Sequence, residues 1–333
     1  MKVLVTGASG FVGSHTVKAL VGAGHHVRAS ARTGERVRRA LAPLGCADTV
    51  EITEADILDK DRIDDALNGC DAVVHAAATY SHDVRRSKEM LTTNPRGTEL
   101  VLGRASELGL DPVIHVSTYT ALLPARETLK PYSPVGNPPT PYARSKARSE
   151  HIARRLQAEG APVTIVYPGM VWGPNDPQAG ESTLLARDVL EGRIPFGAPG
   201  RVGVVDVRDV AAVHAAALRP GVGPQRYIAA SEVVPTATMM RIVAETGGRR
   251  PPRGVVPAPL VLGLARVADA VQRISPKRLP LDYQSPWTAL NFDSIDASAT
   301  VRELGVGFRT AEDSIADTVR WLNAGDRAAG PVE

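Results

Sequence analysis

Of the seven tyrosines in this 333-residue chain, only Tyr142 is followed four positions later by a lysine, Lys146, in PYARSK (141–146). Residues four apart lie on one face of a helix. A phenol has an ordinary pKa of about 10, too high for easy proton exchange near neutrality. A neighbouring ammonium favours the phenolate and lowers that value. Such a pair can give a proton to a carbonyl oxygen, or take one from an alcohol. Thr140 and Pro141 suit the N-cap and first helical positions, which predicts Tyr142 in the first turn.

A second chemical feature stands at the N-terminus. TGASGFVG (6–13) spaces Gly7, Gly10 and Gly13 between an apolar run and an amphipathic one. Glycines there permit a tight strand-to-helix turn and close approach of a pyrophosphate to the free N–H groups of the helix start. A P-loop is excluded, because no Lys-Ser or Lys-Thr follows the last glycine. An NAD site places an acid at the end of the second strand, on the ribose hydroxyls. Here Ala31 stands at that place and Arg32 follows it, with Arg36 and Arg38 nearby. A guanidinium suits a 2′-phosphate, so the expected cofactor is NADP(H) rather than NAD(H).

The elements that must position these residues follow from the hydrophobic pattern. Strands are predicted at 3–7, 26–32, 71–78, 112–118 and 163–171, and helices at 13–24, 62–69, 96–109 and 141–160. Apolar strands alternating with helices imply an α/β fold: a Rossmann-type, doubly wound parallel sheet covered on both faces. After residue 175 prolines and glycines multiply, and helices such as 236–248 are separated by loops. The expected organisation is a dinucleotide-binding domain at 1–175 and a smaller, mostly helical substrate lobe at 176–325. Strands near 201–230 would return to the sheet, and 326–333 would form a flexible tail.

Composition narrows the function. Hydrophobic content of 43%, charged content of 23% and a net charge of +3 fit a soluble globular protein, without the concentrated basic surface of a nucleic-acid binder. Cys46 and Cys70 stand in no metal-ligand spacing, so no metal is expected. No uninterrupted run of about 18 apolar residues exists to span a bilayer, and the N-terminus lacks signal-peptide architecture. A cytoplasmic protein with no membrane partner is expected. The apolar segment APLVLGLARVADAVQRI (258–274) reads as a packed helix roofing a cleft rather than as a monotopic membrane helix.

With the glycine loop and the Tyr142–Lys146 pair in place, the chain resembles an extended short-chain dehydrogenase/reductase. This is the NAD-dependent epimerase/dehydratase superfamily, and the pattern is most similar to its dihydroflavonol-4-reductase-like and cinnamoyl-CoA-reductase-like branch. Further matching pieces are Asp56-Ile57, HAAA (75–78), Asn94, Gly97-Thr98, Ser117-Thr118, YPGMVWGP (167–174) and VDVRDVA (205–211). VRASAR (27–32) is similar to the reductases' pattern at the end of the second strand.

The resemblance implies a cofactor site formed by Gly7, Ser9, Gly10, Phe11, Val12, Gly13, Arg32, Asp56 and Ile57. Ala76, Ala77, Ala78, Tyr142, Lys146, Pro168, Gly169 and Val171 would complete it. It implies proton transfer by Tyr142, tuned by Lys146, with Thr118 polarising the same oxygen and Ser117 as the alternative hydroxyl. Tyr80, Tyr119, Met170 and Trp172 would line the substrate pocket, and a homodimer through the helices at 96–109 and 141–160 is implied. The chain departs from nucleotide-sugar enzymes at Tyr167, where these often have arginine, and Pro95 after Asn94 is unusual. The expected activity is NADP(H)-dependent interconversion of a ketone or aldehyde and an alcohol on a small, rather apolar molecule. The alternatives are a nucleotide-sugar epimerase or dehydratase with retained NAD(P), and a non-catalytic NADP-binding protein of the same fold.

Overall fold

The computed structural model describes residues 1–275 and 279–329. The first half alternates strand and helix: β1 (Lys2–Thr6), α1 (Phe11–Gly22), β2 (His26–Ala31), α2 (Gly34–Leu41), β3 (Glu51–Glu54), α3 (Lys60–Leu67) and β4 (Ala72–His75). It continues through α4 (Ser87–Glu107), β5 (Val113–Val116), α5 (Pro141–Ala158) and β6 (Val163–Pro168). Beyond these come β7 (Met170–Trp172), α6 (Glu181–Leu190), β8 (Phe196–Gly197), β9 (Arg201–Asp206), α7 (Val207–Ala217), β10 (Gln225–Ala229) and β11 (Glu232–Pro235). The chain then runs through α8 (Thr236–Thr246), β12 (Arg253–Val255), α9 (Ala258–Gln272), α10 (Gln284–Ala289), α11 (Ser298–Leu304) and α12 (Ala311–Ala329).

Seven strands form one parallel sheet in the order β10-β6-β5-β4-β1-β2-β3. The strand order reverses between β1 and β4, which opens a crevice beyond their carboxyl ends. VTIVYP of β6 is buried along its whole length, as a strand covered on both faces requires. One apolar cluster, with Ile63, Leu102 and Leu156, fills the α3–α4–α5 face. Another, with Val17, Val37 and Val213, fills the α1–α2–α7 face.

The structure changes the sequence reading in four places. The helix expected from residue 96 begins at Ser87 and passes through Pro95. A proline inside a helix loses one hydrogen bond and crowds the carbonyl four residues back, a cost that burial of Asn94, Gly97 and Thr98 around it offsets here. The predicted strand 163–171 is two strands, because β7 leaves the large sheet to pair with β9. The segment beyond residue 175 is divided: β10 returns to the large sheet, while β9 joins β7 and β11 in a separate three-stranded sheet. The tail expected at 326–333 is helical to Ala329, and residues 330–333 lie outside the described residues.

Candidate active site

The crevice at the strand-order reversal is built from backbone. Gly7 has φ +71, and a β-carbon there would lie 2.7 Å from Ala77 Cα. A β-carbon at Gly13 would lie 2.1 Å from the Gly7 carbonyl oxygen, so the loop closes on itself only with glycine at that position. Gly10 is the N-cap of α1, and its N–H donates to Gly7 O at 2.9 Å. No acidic residue stands in the first turn of α1, which leaves the positive end of the helix uncompensated. Across the crevice, Thr6 Oγ1 pairs with His75 Nδ1 at 2.8 Å and accepts the Ala77 N–H at 3.3 Å. Burial pushes the His75 imidazole down to about 3, so it stays neutral, and Thr6 holds the N–H groups of Ala76 and Ala77 through its carbonyl oxygen and Oγ1. A cradle of backbone N–H groups without a carboxylate fits a pyrophosphate.

At the end of β2, Arg32 is exposed, and its guanidinium makes no hydrogen bond or ion pair among the described residues. The same holds for Arg36 and Arg38. Glu54 Oε1 accepts the Gly34 N–H at 2.7 Å, so a phosphate at this corner would be met by guanidinium groups and not by that N–H. Ile57 packs against Gly97, where a β-carbon would lie 2.4 Å from its Cδ1, while Asp56 Oδ1 accepts the Leu58 N–H at 2.9 Å.

Thr140 and Pro141 open α5 as the sequence suggests, although Thr140 makes no side-chain cap and its buried Oγ1 has no partner among the described residues. Tyr142 is half-buried in the first turn, and Lys146 is buried one turn later on the same face. Lys146 Nζ donates to Val116 O at 2.7 Å, which brings its head to the end of β5 beside Ser117 and Thr118. Burial lowers the ammonium to about 8, and Glu150 opposes the shift. Burial pushes the Tyr142 phenol up, the opposite of the lowering expected from Lys146. Desolvation dominates because the ammonium is drawn onto a backbone carbonyl.

Ser117 Oγ is committed, donating to Glu150 Oε2 at 2.8 Å. Thr118 Oγ1 accepts the Thr120 N–H at 3.3 Å and lies 3.2 Å from Thr120 Oγ1.

These parts have counterparts in known proteins. A model of the NAD dependent epimerase/dehydratase family matches residues 3–230. The chain belongs to this family. It is 32% identical to sterol demethylase protein B of Methylococcus capsulatus, over 97% of the chain and 98% of the relative. It is 27% identical to a putative dihydroflavonol 4-reductase of Synechocystis, over 96% of the chain and 93% of the relative. It is 25% identical to 4-hydroxy-2-methyl-3-oxo-4-farnesyl-3,4-dihydroquinoline-1-oxide ketoreductase of Stigmatella aurantiaca, over 99% of both chains. Among solved structures, that of gox2253 superposes with a TM-score of 0.81 at 27% identity, covering 98% of both chains.

Within this epimerase/dehydratase-family site, the residues expected to line the substrate pocket separate. Tyr80 is exposed, with its ring centroid 4.5 Å from that of Tyr142, and Met170 is half-buried. Tyr119 is buried against Phe292, with ring centroids 5.1 Å apart. Trp172 is fully buried in the core of the second lobe with Met239 and Val243. Tyr119 and Trp172 are thus taken up by the core and expose almost no surface, unlike Tyr80 and Met170.

Two arrangements had no place in the sequence reading. The buried Glu150 carboxylate gathers Ser117 Oγ, Tyr167 Oη (2.6 Å) and Arg154 Nε (2.6 Å), which accounts for a tyrosine at 167. The available signal was spacing, since Tyr142, Lys146 and Glu150 recur every four residues. Asn94 ties both the N–H (2.7 Å) and the carbonyl (2.9 Å) of Thr79, and reaches Ser145 Oγ at 2.9 Å. It holds the loop that carries Tyr80.

Proposed function

We propose that the chain reduces a carbonyl group on a small, largely apolar molecule, with NADPH as the preferred cofactor. When bound, the cofactor supplies hydride to the carbonyl carbon. Tyr142 then donates its phenolic proton to the carbonyl oxygen, Thr118 Oγ1 donates a hydrogen bond to the same oxygen, and Ser117 holds Glu150 in place. Lys146 would leave Val116 O for the nicotinamide ribose, with its positive charge stabilising the phenolate left on Tyr142.

The observation that carries this reading is the pairing of Tyr142 and Lys146 on one face of α5, with burial keeping the phenol protonated. A protonated phenol is the form that reduction needs. NADPH is supported by Ala31 and by the unpaired Arg32, with Gly7, Ser9, Phe11, Val12 and Gly13 holding the pyrophosphate. Ala78, Pro168, Gly169 and Val171 would border its nicotinamide end. An apolar substrate is supported by the names of the sterol and farnesyl-quinoline relatives. A homodimer through α4 and α5 accompanies this reading, and light scattering should return the mass of two chains.

A carbonyl-compound screen with NADPH tests the proposal. Stoichiometric NADPH oxidation with alcohol formation is expected. Turnover of a nucleotide sugar without net cofactor consumption would replace this reading with that of an epimerase or dehydratase.

A further inference from the structure

The loop between β4 and α4 places a second phenol beside Tyr142. The Tyr80 ring lies 4.5 Å from that of Tyr142, centroid to centroid, and the residue is 44% exposed. Its Oη is 3.2 Å from His82 Nε2, and the two rings meet edge to face at 5.5 Å. The other ring nitrogen of His82, Nδ1, lies 3.3 Å from Asp282 Oδ2 and 3.1 Å from Ser285 Oγ. Ser285 Oγ in turn donates to Asp282 Oδ2 at 2.8 Å, so an N–H at Nδ1 has two acceptors before it. Glu181 Oε2 stands 3.8 Å from the same nitrogen, and Glu181 Oε1 accepts the His82 backbone N–H at 2.8 Å.

This line of groups is held at both ends. Asn94 ties the N–H and the carbonyl of Thr79, and Thr79 Oγ1 donates to Glu89 at 3.1 Å, which fixes the loop ahead of Tyr80. Glu181 opens α6 and Asp282 precedes α10, so the second lobe fixes His82. A carboxylate on Nδ1 places a proton there and turns Nε2 to the phenol, whichever charge the ring carries. Two carboxylates on one side of the ring also favour its charged form. Against the upward push of its own burial, His82 and Ser285 hold the Asp282 carboxyl below its ordinary value, so it stays ionised. Asp83, paired with Arg85, lines the same cleft as His82, with Arg266, Asp269 and Arg273 from the α9 side.

Carbonyl reduction consumes one proton per turnover, so a phenol that gives its proton must regain one. The other polar groups near Tyr142 are engaged elsewhere: Lys146 Nζ on Val116 O, Ser117 on Glu150, and Asn94 on Thr79 and Ser145. We propose that His82 is the proton reservoir of the site and recharges Tyr142 through Tyr80. The Nε2–H bond of the charged imidazole breaks as an O–H bond forms on Tyr80. The proton that Tyr80 Oη already carried passes to the Tyr142 phenolate, directly or over one water. An imidazolium and a phenolate thus become a neutral imidazole and a phenol, with the net charge unchanged. The His82 side chain is 17% exposed and regains its proton from solvent. The inference rests on the reading of Tyr142 as the acid and adds the source of its proton.

The test compares single-turnover hydride transfer, which uses the proton already on Tyr142, with steady-state kcat, which needs that proton replaced. His82→Gln keeps a hydrogen-bonding partner for Asp282 and removes the titrating ring. Tyr80→Phe keeps the ring against Tyr142 and removes the hydroxyl. In both variants kcat should fall at least ~10-fold further than the single-turnover rate. Imidazole added to a His82→Ala variant should raise its kcat at least ~3-fold by supplying the missing acid. Equal falls in the two rates would make Tyr80 and His82 supports of the cleft and overturn the proposal. So would an undiminished kcat in both variants, or a His82→Ala protein that imidazole does not restore. Failure of the wild type to oxidise NADPH with any carbonyl compound would instead remove the reading of the reaction, and this inference with it.

Discussion

The Glu150→Gln substitution keeps the shape of a fully buried side chain and removes its charge. The carboxylate takes hydrogen bonds from Ser117 (2.8 Å), Tyr167 (2.6 Å) and Arg154 (2.6 Å). A hydrogen bond to a charged group contributes about 1.5–3 kcal/mol and a neutral one about 0.5–1.5 kcal/mol. The Ser117 and Tyr167 bonds reduced from the first kind to the second amount to a loss of about 2–3 kcal/mol, and Arg154 keeps its charge but loses its counter-ion. The urea midpoint should fall accordingly, with an unchanged slope. A second effect reaches the catalytic turn. Glu150 is the charge that opposes the depression of Lys146, whose value is about 8. Removing it should lower that value further, so an alkaline limb of activity near pH 8 in the wild type should move to lower pH. A stability loss under about 1 kcal/mol together with an unmoved alkaline limb would refute the argument that this network holds the site.

Arg32→Ala should weaken NADPH binding by about 1.5–3 kcal/mol while NADH binding barely changes, and equal losses in a fluorescence titration would remove Arg32 from phosphate recognition. Gly13→Ala, whose β-carbon would lie 2.1 Å from Gly7 O, should weaken cofactor binding at least ~10-fold. Gly22→Ala, with nothing within 4 Å of the added carbon, should leave binding intact in the same titration and gain up to about 1 kcal/mol of helix stability. Lys146→Met should stabilise the protein at pH 7 by about 1–3 kcal/mol while abolishing turnover, because the buried ammonium is more easily protonated in the unfolded chain. Wild-type stability should therefore rise between about pH 8 and 10, a slope that denaturant melts of the methionine variant should lack.

The parallel sheet was legible because its strands are apolar throughout and its helices amphipathic, a contrast that needs no long-range information. Pro95 hid the first turns of α4, since tertiary packing of Asn94 and Thr98 overrides a local breaker. The strand β3, with its pattern EITE, and the two-residue strand β8 are too short or too polar to announce themselves. In the site, Tyr142 and Lys146 show in the spacing of a single helix. The partners that fix their surroundings do not. Asn94 meets Ser145 across two helices, and His82 meets Asp282, 3.3 Å away, from 200 residues along the chain. The depressed Lys146 and the raised phenol follow from burial, which spacing does not report. The exposure of Leu260, Leu264, Val267 and Val271 on α9 was hidden too, since apolar residues on a helix read alike whether they face a core or solvent.

The central claim is that Tyr142 is the proton donor to a carbonyl oxygen. Tyr142→Phe keeps the ring that stands 4.5 Å from Tyr80 and removes only the hydroxyl. Single-turnover hydride transfer should be followed by NADPH absorbance on folded, cofactor-saturated protein, with a carbonyl substrate taken from the screen. The account predicts nearly unchanged NADPH affinity and a rate lower by at least ~10²-fold, the scale of losing a positioned acid. Hydride transfer by the phenylalanine variant at the wild-type rate would contradict it.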